Sequence, residues 1–324
     1  MTMKTHAIVI PEPNRIELRE VQLVEPGPDD VVVRTFYTSI SAGTERMLLA
    51  GRLPHPLLSF PIIPGYETVG RVTHVGTRVP PGLQGQWVYI GGARCFEGVN
   101  PAWGGQAATL VADHQRVVPL GGVEPQQGVL LALAATALHG VDLLMNQPPA
   151  AGNRNWRTLI LGQGPVGQIA ARLLGRAGAW VAVTDREASR LERASADVIT
   201  LAGDTPLNDA LGGPVDAIIE ATGSMAALAE ALPLLADGGT VLLLGYYDEL
   251  RLPYMPLFLK QARLLTAREW APGDLVRCRD MIADRSLAVG GLLTHHLPIA
   301  QVSEAYHTAL HDPACLKLVL DWEF

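Results

Sequence analysis

The run Thr158-Leu-Ile-Leu-Gly162-Gln-Gly164-Pro165-Val166-Gly167 constrains this chain more than any other segment. A short apolar stretch leads into Gly-x-Gly-x-x-Gly, and residues Val166–Ala177 follow with the spacing of a helix. The pattern is informative in this strand–turn–helix setting. Gly162 permits the tight turn, and Gly164 lets the backbone approach a pyrophosphate. Gly167 lets the helix pack close to the sheet, so its N-terminal amides face the anion, with Pro165 and Val166 completing the turn. Asp185 ends the next apolar run, 18 residues after Gly167. A carboxylate there accepts hydrogen bonds from ribose hydroxyls and disfavours a 2′-phosphate, so the expected cofactor is NAD. Arg186, beside it, either contacts a phosphate, stacks on adenine, or is a solvated surface charge.

The rest of the chain fits that unit. Six apolar runs begin near Thr158, Trp180, Val198, Ala217, Thr240 and Leu264, with helical segments between most of them. Continuous apolar strands alternating with helices predict a doubly wound parallel sheet. The first third reads differently. Short runs rich in Val, Ile and aromatics, such as His6–Ile10, Val31–Phe36 and Trp87–Ile90, are separated by Pro/Gly clusters and predict a small β-barrel-like domain. A buried helix is expected over Gln126–Met145, and a final strand over Leu316–Leu320.

Composition excludes several classes. With 324 residues, 48 % apolar and 18 % charged, the chain has the size of two domains and is not disordered. A net charge of −7 argues against nucleic-acid binding. Three cysteines, far apart in sequence, exclude a disulfide scaffold and a four-cysteine zinc site. No signal peptide and no apolar run of about 20 residues is read from the sequence, so a cytoplasmic location and no membrane span are expected.

Taken together, the sequence resembles the medium-chain dehydrogenases. The resemblance implies a GroES-like β domain at residues 1–125, completed by 291–324, and a Rossmann dinucleotide-binding domain at 126–290. Zinc-dependent members carry a Cys-Gly-Thr-Asp-like element, a Gly-His-Glu element and a third ligand four residues before a Thr-Ala pair. This chain has Ala42-Gly43-Thr44-Glu45, Gly65-Tyr66-Glu67, and Ala132 before Thr136-Ala137. An open zinc site needs three N, O or S ligands, so no catalytic metal is expected. The segments Ser39-Ile-Ser-Ala-Gly-Thr-Glu45, Pro64-Gly-Tyr-Glu67, Gly92-Ala-Arg-Cys-Phe-Glu97, Arg268-Glu-Trp270 and Pro313-Ala-Cys-Leu-Lys317 are similar to the bacteriochlorophyllide-oxidising branch of the family. Members of that branch convert a 3-(1-hydroxyethyl) group to 3-acetyl with NAD.

The resemblance also implies site residues. Thr44 matches the proton-relay hydroxyl, and Tyr66 stands where a metal ligand would point into the pocket. Tyr66 is either a hydrogen-bond donor to the substrate oxygen or packing in vacated space. Glu67 is either a proton acceptor through water or a structural carboxylate. Thr136 borders the nicotinamide. His139, one turn on, is a proton shuttle or an ordinary core histidine. Thr222, Gly223, Gly245 and Tyr246 border the nicotinamide half, and Lys317 reaches the pyrophosphate or is a surface cation. His55 approaches a chlorin magnesium or is a solvated loop residue. Phe60, Phe96, Trp103, Tyr246 and Trp270 are candidates to stack on a flat macrocycle, and Arg94 to pair with its propionate. A homodimer through the edge of the Rossmann sheet is expected. Competing readings are a zinc-free quinone or enone reductase and a non-catalytic NAD-binding protein.

Overall fold

A computed structural model describes residues 3–53, 58–150, 155–247 and 249–323. His55 lies outside the described residues. The chain divides into two compact units. One comprises Met1–Ala132, Ile282–Asp284 and Leu293–Phe324; the other comprises Leu133–Met281 and Arg285–Leu292.

The first unit is built around the long strand Asp30–Ser39. It pairs antiparallel with Thr68–Val75, Thr109–Asp113 and Lys317–Asp321. Register shifts at Val32/Val33 and Thr35/Tyr37 bend the strand, which lets it serve three partners. The sheet extends through Trp87–Ile90 to Val117–Pro119 and, at its other end, to Leu293–Pro298. A second sheet joins Lys4–Val9, Glu17–Leu23 and Phe96–Glu97. Alternating apolar positions such as Val9, Leu23, Val33, Ile90 and Leu110 form the core. The C-terminal tail belongs to this unit as well. Helix Val302–His311 packs Ala305 and Tyr306 with Ile8, Ile40, Leu318 and Trp322. The Trp322 indole donates to Thr38 Oγ1 at 2.8 Å.

The second unit holds all six expected strands in one parallel sheet. Their order is Val198–Leu201, Trp180–Asp185, Arg157–Leu161, Val215–Glu220, Leu235–Leu243 and Arg263–Thr266. The order reverses between Arg157–Leu161 and Val215–Glu220, and open parallel sheets bind ligands beyond the carboxyl ends of strands at such a point. Val215–Glu220 is buried throughout, as a central strand covered on both faces must be. Arg263–Thr266, at the edge, alternates between half-buried and exposed.

Several local expectations need correction. The helix expected from Gln126 is α-helical only over Leu131–Met145; Pro125–Leu130 forms 3-10 turns. Gly128 lets these turns pack closely, since a Cβ there would lie 2.9 Å from Val69 Cγ2. The combined segment Pro125–Met145 is 21 residues long and, by length and composition, apolar enough to cross a membrane. The sequence reading had found no such run. Of its most apolar window, 72 % is buried within the protein, the setting of a core helix. Expected helix Met225–Leu235 stops at Ala231 because Pro233 interrupts it, and Leu235 opens a strand. The short helix Ala42–Leu49 and strand Leu293–Pro298 were missed. Gly43 and Thr44 masked the first, and His295-His296 broke the apolar pattern of the second.

Candidate active site

In the second unit the three motif glycines do three different things. Gly162 has φ +92°, where side chains are disfavoured, and a Cβ on it would sit 2.7 Å from Thr222 Cγ2. Gly164 precedes helix Pro165–Arg176, and nothing lies within 4 Å of the place its Cβ would take. A Cβ on Gly167 would lie 2.0 Å from the Gly162 carbonyl oxygen, so only glycine lets helix and turn approach. Pro165 takes a position at the start of the helix where no amide hydrogen is needed, and it and Val166 stay half-buried at the rim. The N-terminal end of helix Pro165–Arg176 and the open face at Gly164 fit a pyrophosphate.

Asp185 is 9 % exposed. Its Oδ2 accepts the Gln163 amide at 2.6 Å and its Oδ1 accepts the Glu187 amide at 2.9 Å. The carboxylate therefore pins the glycine turn to the end of the neighbouring strand. Arg186 is exposed, and the guanidinium of Arg190 lies 3.9 Å from Asp185. Sequence reasoning had not singled out Arg190.

Glu220, fully buried at the end of its strand, organises the adjacent loops. Oε1 accepts the amide and hydroxyl of Thr222; Oε2 accepts the Gly223 amide and the Tyr247 hydroxyl. Its backbone oxygen takes the amides of Leu244 and Gly245. Gly245 has no room for a side chain, since a Cβ would lie 2.5 Å from Glu220 Oε2. Burial, then Glu220, pushes the Tyr247 phenol well above its ordinary range, so it serves as a donor. Tyr246 is 42 % exposed. Glu220 was missed as a site residue; a lone carboxylate closing the run Ala217-Ile-Ile-Glu220 was the available signal.

Thr136 and His139 are half-buried on helix Leu131–Met145. His139 Nδ1 lies 3.8 Å from Asp274, whose carboxylate also accepts the Ala271 amide and the Arg277 guanidinium. Arg277 reaches Asp142 as well. His139 is therefore beside an ionic network and is not an isolated apolar-core histidine.

The first unit holds a cluster of hydroxyls. Tyr66 OH is 2.5 Å from Ser41 Oγ and 3.2 Å from Thr44 Oγ1. Burial, then the charge of Glu67, raises the Tyr66 phenol well above its ordinary range. Tyr66 stays neutral, which suits a hydrogen-bonding role and not a base. Ser41 escaped notice although it lies three residues before Thr44.

Behind this cluster lies a buried ion pair. Glu67 Oε2 accepts Lys317 Nζ at 2.6 Å and the Ser39 hydroxyl. Lys317 also donates to the Ile40 carbonyl at 3.1 Å. Glu67 Oε1 is buried without a protein partner. These contacts correct the expectation for Lys317. At 2 % exposure it is not a surface cation, and its ammonium is committed to Glu67 instead of extending to a pyrophosphate. A lysine is thus paired with the residue next to Tyr66, hidden from sequence reading by the 250 residues between Glu67 and Lys317.

Glu45 completes the polar layer. It is 1 % exposed and accepts the Tyr306 hydroxyl and the Ser41 amide. Burial raises its carboxyl to about 7 despite those bonds.

The positions where zinc ligands are expected do not fit a zinc ion. Ala42 and the fully buried Ala132 offer only methyl groups, and Tyr66 is a half-buried phenol held neutral. Among the described residues no three His, Cys, Asp or Glu converge as metal donors.

Comparison with known proteins agrees with this architecture. Residues 27–122 match the alcohol dehydrogenase GroES-like domain, and residues 165–282 match the zinc-binding dehydrogenase domain. Over 99 % of both chains, the sequence is 35 % identical to the 2-desacetyl-2-hydroxyethyl bacteriochlorophyllide A dehydrogenase of Rhodobacter capsulatus. It is 34 % identical, again over 99 % of both, to the Cereibacter sphaeroides protein of the same name. A short chain alcohol dehydrogenase from Escherichia coli, solved with NADH, superposes with a TM-score of 0.84 at 21 % identity, covering 98 % of this chain and 99 % of its own. Fold and end-to-end similarity lead to one conclusion: the chain belongs to the medium-chain dehydrogenase/reductase family of oxidoreductases, with a GroES-like and a Rossmann domain.

Proposed function

We propose that this chain oxidises the 3-(1-hydroxyethyl) group of a bacteriochlorophyllide to 3-acetyl, with NAD and without a catalytic zinc. The observation that carries the reading is the Ser41–Tyr66–Thr44 hydroxyl cluster where metal ligands would otherwise stand, in a chain 35 % identical over its length to a hydroxyethyl bacteriochlorophyllide dehydrogenase.

Oxidation removes a hydride from the carbinol carbon and a proton from its oxygen. NAD, when bound, supplies the hydride acceptor. Gly162, Gly164, Pro165, Val166 and Gly167 would hold its pyrophosphate, and Asp185 its adenosine ribose; Thr136, Thr222, Gly223, Gly245 and Tyr246 would border the nicotinamide half. The Asp185 charge, already fixed by two amides, opposes a 2′-phosphate and supports NAD over NADP. Thr44 and Tyr66 position the substrate oxygen by hydrogen bonds. Glu67 and Lys317 hold fixed charge behind them, and His139, its ring beside Asp274, is assigned the proton shuttle. A second copy of the chain would pair through the sheet edge Arg263–Thr266, where Leu264 is exposed; Tyr254, Phe258 and Leu259 are exposed on the preceding helix Tyr254–Leu259.

One experiment tests the reaction. Purified protein is given a 3-(1-hydroxyethyl) bacteriochlorophyllide with NAD or NADP, before and after chelation, and the red-shifted absorbance of the acetyl product is followed. Turnover with NAD, at least about tenfold slower with NADP and untouched by chelator, is expected. Loss of turnover on chelation, restored by a divalent ion, would overturn the metal-free reading. NAD binding without turnover would favour a non-catalytic protein.

A further inference from the structure

Trp103 is held in a conformation that its type disfavours. Its φ is +69°, a left-handed backbone uncommon for any side chain but glycine and rare for a bulky ring. The surrounding chain imposes it. The amides of Ala102 and Gly104, on either side of Trp103, both donate to the Ile63 carbonyl, at 2.8 and 3.1 Å. Gly105 and Gln106 then bond to the carbonyls of Gly65 and Pro64. Two glycines make the approach possible. A Cβ on Gly92 would lie 2.2 Å from the Trp103 carbonyl oxygen, and one on Gly104 would lie 2.2 Å from that of Ala93. Strain of this kind persists only where neighbouring structure over-determines it, and it concentrates where a side chain must be aimed.

The aim is toward the hydroxyl cluster. The Trp103 ring meets the Tyr66 ring edge-on, with centroids 5.2 Å apart. The indole rests against the apolar group of Ile10, Met47, Leu48, Leu53, Ile62 and Ala102, yet remains half-buried. A large aromatic surface thus lies beside the Ser41–Tyr66–Thr44 hydroxyl cluster. Trp103 is one of the five aromatics expected to stack on a macrocycle, and its ring packs on Tyr66.

We propose that Trp103 is the specificity-determining residue of the substrate site, a platform for the flat face of a conjugated macrocycle. The proposal rests on the reaction assigned above and adds which side chain selects the substrate. A substituent at the rim of a planar ring lies in the plane of that ring. Seating the macrocycle against the indole therefore brings its hydroxyethyl group alongside Tyr66 and Thr44. A small alcohol has no such face and gains little from the indole.

The test uses wild type, Trp103→Asn and Trp103→Phe. Asparagine tolerates left-handed backbone, so the first variant keeps the turn and loses the ring. Binding of the hydroxyethyl bacteriochlorophyllide is followed by absorbance titration, turnover by acetyl product, and NAD affinity serves as a control. Trp103→Asn should raise Kd and KM for the macrocycle about tenfold with kcat held within about twofold, and Trp103→Phe should recover most of that loss. NAD affinity should not move. If Trp103→Asn does not fold, Trp103→Leu makes the same comparison with Trp103→Phe. Unchanged macrocycle affinity without the ring overturns the proposal, as does a loss confined to kcat, which would mean the indole acts through Tyr66. Wild type that neither binds nor oxidises the macrocycle overturns the assigned reaction itself.

Discussion

Glu45 illustrates how much a single side chain depends on its surroundings. In sequence it is one more carboxylate after Thr44; folded, it is enclosed and accepts the Tyr306 hydroxyl. Burial raises its carboxyl from 4.5 to about 7. The folded chain therefore keeps a proton that the unfolded chain releases, and stability falls as pH rises from 4.5 through about 7. The contribution is on the order of 3 kcal/mol. Glu45→Gln, which keeps the shape and an acceptor for Tyr306, should flatten that slope in urea unfolding across the same window. Equal slopes in both proteins would show that Glu45 does not titrate there. At this scale Thr44, Tyr66 and Glu67 were legible as positions, but not the duties they take. Lys317 and Ser41 became members of the cluster only when distant segments met.

At the scale of the element, the glycine turn was the most legible feature, because each glycine answers a local steric demand. The demands differ, so substitutions separate them. Gly167→Ala forces a Cβ to 2.0 Å from the Gly162 carbonyl and should cost about 1–3 kcal/mol in thermal unfolding. Gly164→Ala meets nothing within 4 Å and should change stability by less than about 0.5 kcal/mol. It should still abolish most of the stabilisation that added NAD confers, because its methyl would occupy the open face. Normal NAD protection in Gly164→Ala would remove that face as the pyrophosphate site. The short helix Ala42–Leu49 was hard to read by contrast, since eight residues opening on Ala42, Gly43 and Thr44 have little periodicity of their own.

For the whole molecule, the edge of the Rossmann sheet makes the proposed pairing testable. Leu264 on Arg263–Thr266 is 38 % exposed, and on the preceding helix Tyr254–Leu259 the side chains of Tyr254, Phe258 and Leu259 are between 57 and 68 % exposed. Charged residues on an edge strand block pairing with another chain. Leu264→Lys should shift sedimentation equilibrium from twice the chain mass to the single chain mass, with the far-ultraviolet circular dichroism unchanged. Wild type already sedimenting as a single chain would dismiss the dimer.

Local pattern determined the Rossmann unit. Six apolar runs, a Gly-x-Gly-x-x-Gly turn and a strand-ending carboxylate are short-range features whose physical demands lie within a few residues. Alanines at two metal-ligand positions were equally visible, because a missing donor atom needs no fold to be recognised. Tertiary structure alone decided the chemistry of the polar layer. The carboxyl of Glu45, the Glu67–Lys317 pair and the strained indole of Trp103 depend on desolvation and on contacts between segments separated by tens to hundreds of residues. Electrostatic energies scale inversely with the local dielectric, and no spacing along a chain reports how much water the folded chain will exclude.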